Sequence, residues 1–287
     1  KRQPRGYYYP YPHAPHLYYP GYAHAVQYGY NRAPAPAQPP VTGKTRTREA
    51  VVKVNTRPAA EAKQPSETTQ AGLSAGKQAF INTLLPRIEQ ENRRLIGLRN
   101  ELARLFSKLE SDAEISSSEH QQISALARKY RVKGDPLQDP VARQELVGKI
   151  DIIPASLALA QAVNESAWGE SRFAQQANNL FGIWTYDEDK GLKPLNREEG
   201  KTHLVRIFDD IGESVSYYMY NLNSHPAYSE LRQIRRQLRA SGQAIDGHKL
   251  AAGLEKYSAK GQAYIDLIRS LIRQNDWALL DSTKQRA

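Results

Sequence analysis

The 287-residue chain contains no cysteine, one methionine, three tryptophans and five phenylalanines. The lack of cysteine excludes disulfides, iron–sulfur clusters, Cys-ligated zinc and a cysteine nucleophile. No apolar run approaches the roughly 18 residues needed to cross a bilayer, so no transmembrane segment is expected. Apolar residues make up 40% of the chain, below the globular norm of about 45–50%, and part of the chain is therefore expected not to pack. No H-E-x-x-H or related ligand spacing and no Gly-rich phosphate loop is found, so neither metal nor cofactor is expected.

The charge is unevenly placed. Against an overall +10, residues 1–60 carry nine basic residues and one acid, Glu49. The remaining 227 residues hold 31 basic and 29 acidic side chains. The basicity belongs to the tail and not to a folded face, which argues against a nucleic-acid partner. Residues 1–40 also hold nine of the 17 tyrosines and nine of the 17 prolines. Runs such as Tyr7-Tyr8-Tyr9-Pro10-Tyr11-Pro12 cannot form helix, because proline lacks the N–H and fixes φ. Residues 1–72 are expected to be a disordered Tyr/Pro-rich basic tail and polar linker. The tail acts either as a spacer or as a tether to anionic wall polymers or membrane. The chain begins at Lys1 and not at methionine, and we expect that a signal peptide has been removed.

Helical patterning begins near Leu73. Leu84, Ile88, Glu91, Leu95, Leu98, Leu102, Leu105 and Leu109 recur at spacings of four and three, an a/d stripe with one polar exception. The stripe fits a dimeric coiled coil or packing within the same chain, and the second is expected. Pro86 is expected to start or kink this helix. Ser116 and Glu119 have capping-box spacing and open a second helix. A third short helix is expected at 140–149. The next, Ala155 to Trp168, is apolar nearly all round and reads as a central buried helix, with Pro154 at its first turn and Gly169 as its C-terminal cap. Residues 183–208 read as a small β-hairpin or irregular lobe. Residues 212–222, 226–241, 246–255 and 261–275 read as helices. The expected fold is mainly α (α+β): a helical segment at 73–148 packed on a domain at 149–280 that carries a small β lobe.

Glu165 is the sharpest feature. A carboxylate at the far end of a buried helix, beside Trp168 and small residues, is where desolvation raises the pKa and keeps a carboxyl fit to donate a proton. The bland alternative is a terminal Glu that reaches solvent or pairs with Arg172.

Three blocks lie in order within 24 residues: Leu159-Ala160-Gln161-Ala162, Glu165-Ser166-Ala167-Trp168-Gly169 and Asn179-Leu180-Phe181-Gly182. This pattern resembles the bacterial glucosaminidase family of peptidoglycan hydrolases, which has a lysozyme-like fold. Asp151-Ile152-Ile153-Pro154 and Asn221-Leu222-Asn223-Ser224-His225-Pro226-Ala227-Tyr228 resemble its Bax-like branch of bacterial envelope proteins. The resemblance covers about residues 77–275.

The resemblance implies a glycoside hydrolase, an endo-β-N-acetylglucosaminidase acting on cell-wall glycan strands in the periplasm or envelope. Glu165 would then be the general acid. A glycosidase ordinarily needs a second carboxylate; in this family it comes from the β lobe, where Glu198 and Glu199 are the candidates and Asp187, Glu188 and Asp189 weaker ones. Assistance by the substrate's own N-acetyl group is the alternative. Tyr257 and Tyr264 match the two tyrosines of a family segment that lines the site, while Ser258, Lys260 and Gly261 depart from it. Asn179 and Phe181 are expected to shape the groove, and Trp184 and Tyr186 either stack on sugars or pack the lobe. About 60 residues, including the heptad helix, intervene before the Glu165 helix. This inserted hairpin covers one side of the groove, recruits an envelope-protein partner, or adds core. A catalytically silent wall-binding module on the same fold is the reading from a different class.

Overall fold

The computed structural model describes residues 73–111, 113–195 and 202–282. The Tyr/Pro tail and linker lie outside them. From Ser74 onward the chain is mainly helical with one small sheet. Helix α1 (Ala75–Glu110) continues through Pro86, so Pro86 lies in the helix interior and the expectation that it starts the helix is corrected. Proline there loses the bond its N–H would have made to the Asn82 carbonyl and crowds that carbonyl with its ring, and the buried Leu84 and Ile88 on either side hold the helix. Ile81, Leu84, Ile88, Leu95, Leu102 and Leu105 are buried, and α1 packs mainly on α6 (Ile211–Ser224) and α4 (Ala155–Ser166), and also on α3 (Pro140–Lys149). Most of the heptad stripe is thus spent within the chain, with Leu98 and Leu109 half-buried. The polar exception, Glu91, is buried too. It accepts two bonds from Arg94, at 2.9 and 2.7 Å, and one from the Ser216 hydroxyl on α6 at 3.0 Å.

Helix α2 (Ser117–Lys129) opens on the full capping box of Ser116 and Glu119. Helix α3 (Pro140–Lys149) is capped by Asp139. The extended segment 150–154 then delivers the chain into α4. Asn92 on α1 grips Ile153 from both sides, donating to its carbonyl (2.8 Å) and accepting from its amide (3.1 Å). Asp151 is buried among Arg99, Arg235 and Arg239, and Arg239 donates to both its oxygens at 2.6 Å.

Pro154 occupies the cap position of α4, whose first residue is Ala155, and its side chain makes no cap bond. The cap is supplied from 125 residues away. Asp281 accepts from the Ser156 amide (3.1 Å) and the Ser156 hydroxyl (2.5 Å), and also from the Gly247 amide (2.9 Å). Gly247 must be glycine here, because a Cβ would lie 2.1 Å from Ser156 Oγ.

The lobe after α5 (Arg172–Ala177) is a three-stranded antiparallel sheet and not a simple hairpin: β1 (Trp184–Thr185), β2 (Gly191–Leu192) and β3 (Leu204–Arg206), with β3 in the centre. Beyond α6, α7 (Ser229–Ala240), α8 (Gly247–Leu250) with a 3₁₀ segment (Ala251–Tyr257), α9 (Gln262–Gln274) and α10 (Leu279–Ser282) complete the described chain. No helix among the described residues is long and apolar enough to cross a membrane.

Candidate active site

Helix α4 is buried along its whole length from Ala155 to Val163 and reaches the surface at Asn164 and Glu165. Its end is made by an uncommon backbone. Ala167 (φ 51°), Trp168 (φ 60°) and Gly169 (φ 82°) are all left-handed, so the cap is Ala167 and not Gly169. Left-handed non-glycine residues cost about 1 kcal/mol or more each, and several contacts offset that. The Ser166 hydroxyl donates to the Ala162 carbonyl (2.7 Å) and accepts from the Gly169 amide (2.8 Å). The Trp168 ring packs edge-on against Phe80 and Trp277, at 6.2 and 6.0 Å, with the Lys77 ammonium 4.8 Å above it. A Cβ on Gly169 would meet the Phe80 ring at 2.8 Å. In the block Glu165-Ser166-Ala167-Trp168-Gly169, the Ser, Trp and Gly therefore lock the turn that presents the Glu.

Among the described residues, the Glu165 carboxyl is held through one oxygen. Tyr264 Oη donates to Oε1 at 2.9 Å, and Asn164 Nδ2 donates to the same oxygen at 3.0 Å. The other oxygen, Oε2, lies beneath Gly182, where a Cβ would approach it to 3.2 Å. Gly182 is also left-handed (φ 63°), so both space and conformation call for glycine there. Burial pushes the Glu165 carboxyl above its ordinary range, against the opposing pull of Tyr264, Asn164 and the Lys260 ammonium. Among the described residues, no second carboxylate figures in the groups that act on it. Arg172 does not pair with Glu165, since its guanidinium donates to the Lys193 carbonyl at 2.7 Å.

The loop over this carboxyl is organised by Asn179. Its amide nitrogen donates to the Ile183 and Arg206 carbonyls, both at 2.8 Å, and its oxygen accepts from the Ile183 amide at 2.9 Å. It is 2% exposed and acts by holding Gly182 in place. Phe181 is equally covered and stacks on Tyr218 at 4.0 Å. Tyr257, half-buried, donates to the Phe181 carbonyl at 2.8 Å and stacks on Tyr264 at 5.5 Å. Tyr264 is 1% exposed, and its ring contributes covered wall beside Glu165.

Trp184 lies in β1 with its ring stacked on His203 at 4.1 Å, and Tyr186 is 52% exposed just beyond. Glu198 and Glu199 fall between β2 and β3, outside the described residues. Asp187, Glu188 and Asp189 form an exposed turn before β2, with Asp187 capping it. Gly72-Leu73-Ser74-Ala75-Gly76 has the G-x-S-x-G spacing of a serine-hydrolase elbow. Ser74 is instead the N-cap of α1, and no described strand leads into it.

Sequence reasoning missed two residues behind the site, Gln161 and Tyr218. Both are fully covered, and they hydrogen-bond in series to Tyr264. One signal was available: a glutamine in the middle of the run Leu157–Val163, otherwise Ala, Leu and Val, must find partners inside the core.

Residues 142–277 match the family described as Glucosaminidase, Mannosyl-glycoprotein endo-beta-N-acetylglucosaminidase. Protein bax of Escherichia coli strain K12 is 34% identical over 200 residues, which covers 69% of this chain and 69% of that protein. The chain belongs to the glucosaminidase family. The matched span runs from α3 to Trp277 and contains Glu165, the Gly182 loop, the sheet and both site tyrosines. Helix α1 precedes this family span, yet supplies Phe80 and Lys77 to the wall around Trp168. As a glucosaminidase-family protein the chain carries a domain of the glycoside hydrolase class. No solved structure matches the chain.

Proposed function

We propose that the protein is a peptidoglycan hydrolase of the periplasm or cell envelope. It is an endo-β-N-acetylglucosaminidase that cleaves the β-1,4 bond after N-acetylglucosamine, with Glu165 as general acid. One observation carries this reading: a desolvated carboxyl, raised above its ordinary range, presents beneath Gly182 one oxygen that has no hydrogen bond from the described residues. Such a group keeps its proton to higher pH than an ordinary glutamic acid and delivers it to the departing glycosidic oxygen. Tyr264 and Asn164 then stabilise the carboxylate left behind. Trp184 and Tyr186 supply aromatic surface for sugar rings, and Tyr257 secures the loop that carries Gly182.

The second half of the chemistry has two sources. Glu198 or Glu199, in the connection between two adjacent strands of the lobe, acts as the second carboxylate. Otherwise the substrate's N-acetyl oxygen stabilises the oxocarbenium-like state. A wall-binding module without turnover on the same fold is the second reading.

Mass spectrometry of borohydride-reduced products, from peptidoglycan incubated with the wild type and with Glu165→Gln, tests this. Reduced N-acetylglucosamine ends from the wild type alone are expected. Reduced N-acetylmuramic acid ends would reassign the bond, and saturable binding without new ends would favour the binding module.

A further inference from the structure

Behind Glu165 runs a chain of buried polar groups whose directions can be read from their chemistry. Tyr218 Oη donates to Gln161 Oε1 at 2.7 Å, Gln161 Nε2 donates to Tyr264 Oη at 3.0 Å, and Tyr264 Oη donates to Glu165 Oε1 at 2.9 Å. Tyr218, Gln161 and Tyr264 come from α6, α4 and α9, and each is at most 1% exposed. A tyrosine has one proton to give. Burial keeps both phenols protonated, well above their ordinary range. Because the Gln161 amide donates to Tyr264, the Tyr264 proton points outward to the carboxyl. The reverse arrangement would turn the amide over, draw the Tyr264 proton inward and place the Glu165 proton on Oε1. Asn164 Nδ2 opposes that arrangement, since it is a second donor to the same oxygen. Oε2 has no bond from the described residues and is not among the enclosed unpaired atoms.

We propose that Tyr218 and Gln161 are positioning residues: they hold the Tyr264 proton on Glu165 Oε1 and so place the transferable proton on Oε2, the oxygen beneath Gly182. This rests on Glu165 as the acid. The chain acts on ionisation as well as on placement. Two donors on Oε1 favour the carboxylate, so the inner pair limits how far burial can raise Glu165. The proton that leaves is then the one nearest the open side.

The test reads Glu165 by NMR of carboxyl-¹³C-glutamate protein, with the resonance assigned by its loss in Glu165→Gln. In the wild type, the Gln161 side-chain amide is expected to titrate with the same midpoint as Glu165; an amide that stays still across that range would overturn the proposal. Tyr218→Phe keeps the ring stacked on Phe181 but frees the amide to turn over. It is expected to move the Glu165 midpoint up by roughly one unit, and to carry the alkaline limb of cleavage with it at unchanged KM. A folded Tyr218→Phe protein with an unmoved midpoint would overturn the proposal. If that variant does not fold, the wild-type amide titration decides alone. Neutron diffraction below the midpoint is expected to show the deuteron on Oε2, and density on Oε1 would overturn that assignment. None of the NMR readouts needs turnover. A failed acid assignment, seen as cleavage retained in Glu165→Gln, is therefore distinguishable from a failed chain.

Discussion

Tyr264 Oη sits 2.9 Å from Glu165 Oε1, joining residues 99 positions apart at the one point where the buried helix α4 surfaces. Desolvation and this bond pull the acid in opposite directions, and desolvation wins. Cleavage should therefore persist to higher pH than an ordinary glutamic acid would allow, and fall as pH rises through the raised value. Tyr264→Phe removes a donor to the carboxylate, so its alkaline limb should shift further upward. A pH–rate profile on isolated glycan strands checks both.

The same balance has a stability consequence. A carboxyl whose folded pKa lies above its unfolded value binds protons more tightly in the folded state. That contribution is fully present below the ordinary value of 4.5 and is lost as pH rises through the folded value. Glu165→Gln is neutral at every pH. It should raise Tm at neutral pH, and the gain should vanish below the ordinary carboxyl range. Thermal melts across roughly pH 3–8, which begin below the ordinary carboxyl range, read this directly. A variant less stable than wild type at pH 7 would contradict it.

Asp281 caps α4 from the far end of the chain, accepting three bonds from Ser156 and Gly247. Asp281→Ala should cost about 2–3 kcal/mol, a lost helix cap plus two further bonds. Urea unfolding should show a lower midpoint at an unchanged slope. Below the transition, glycan cleavage should stay close to wild type, because the cap lies at the opposite end of α4 from Glu165.

Asp151 shows the opposite pH sign. Burial pushes its carboxyl up, but Arg235, Arg239 and Arg99 outweigh that and hold it below the usual carboxylate range. Its contribution is present above the ordinary Asp range and is lost as pH falls through the depressed value. Asp151→Ala leaves Arg235 fully enclosed without its counter-charge. The cost should be about 3–5 kcal/mol, seen in chemical denaturation as a large drop in midpoint, with Asp151→Asn recovering part of it.

The leucine stripe of α1 is largely buried where the helix packs on α3, α4 and α6, with Leu98 and Leu109 half-buried. Sedimentation equilibrium on residues 73–287 should give a monomer mass, and Leu102→Ala should lower stability by about 2–4 kcal/mol without changing that mass. A concentration-dependent dimer that Leu102→Ala dissolves would place the stripe at an interface.

Much of this was legible in the residues alone. The periodicity of α1, the capping box at Ser116, the apolar helix ending at Glu165 and the three-block motif all depend on near neighbours in the chain, and local chemistry specifies them. Glu165 could be picked out because a charge at the end of a largely apolar buried helix is costly unless it is used. Pro86 inside α1 and the left-handed cap at Ala167 could not be read in this way. Each is locally unfavourable and persists because packing elsewhere outweighs it: burial along the helix in one case, the Phe80–Trp168–Trp277 cluster in the other.

The partners of the candidate acid were decided only by the tertiary structure. Nothing in spacing shows that Tyr264 meets Glu165, that Gln161 joins Tyr264 to Tyr218, or that Gly182 lies over Oε2, because these contacts link positions 17 to 103 residues apart. The sequence by itself determined which residue could be an acid. The folded core determined its ionisation, since a pKa depends on the dielectric and the donors around a group, and both are assembled only when α4, α6 and α9 pack together.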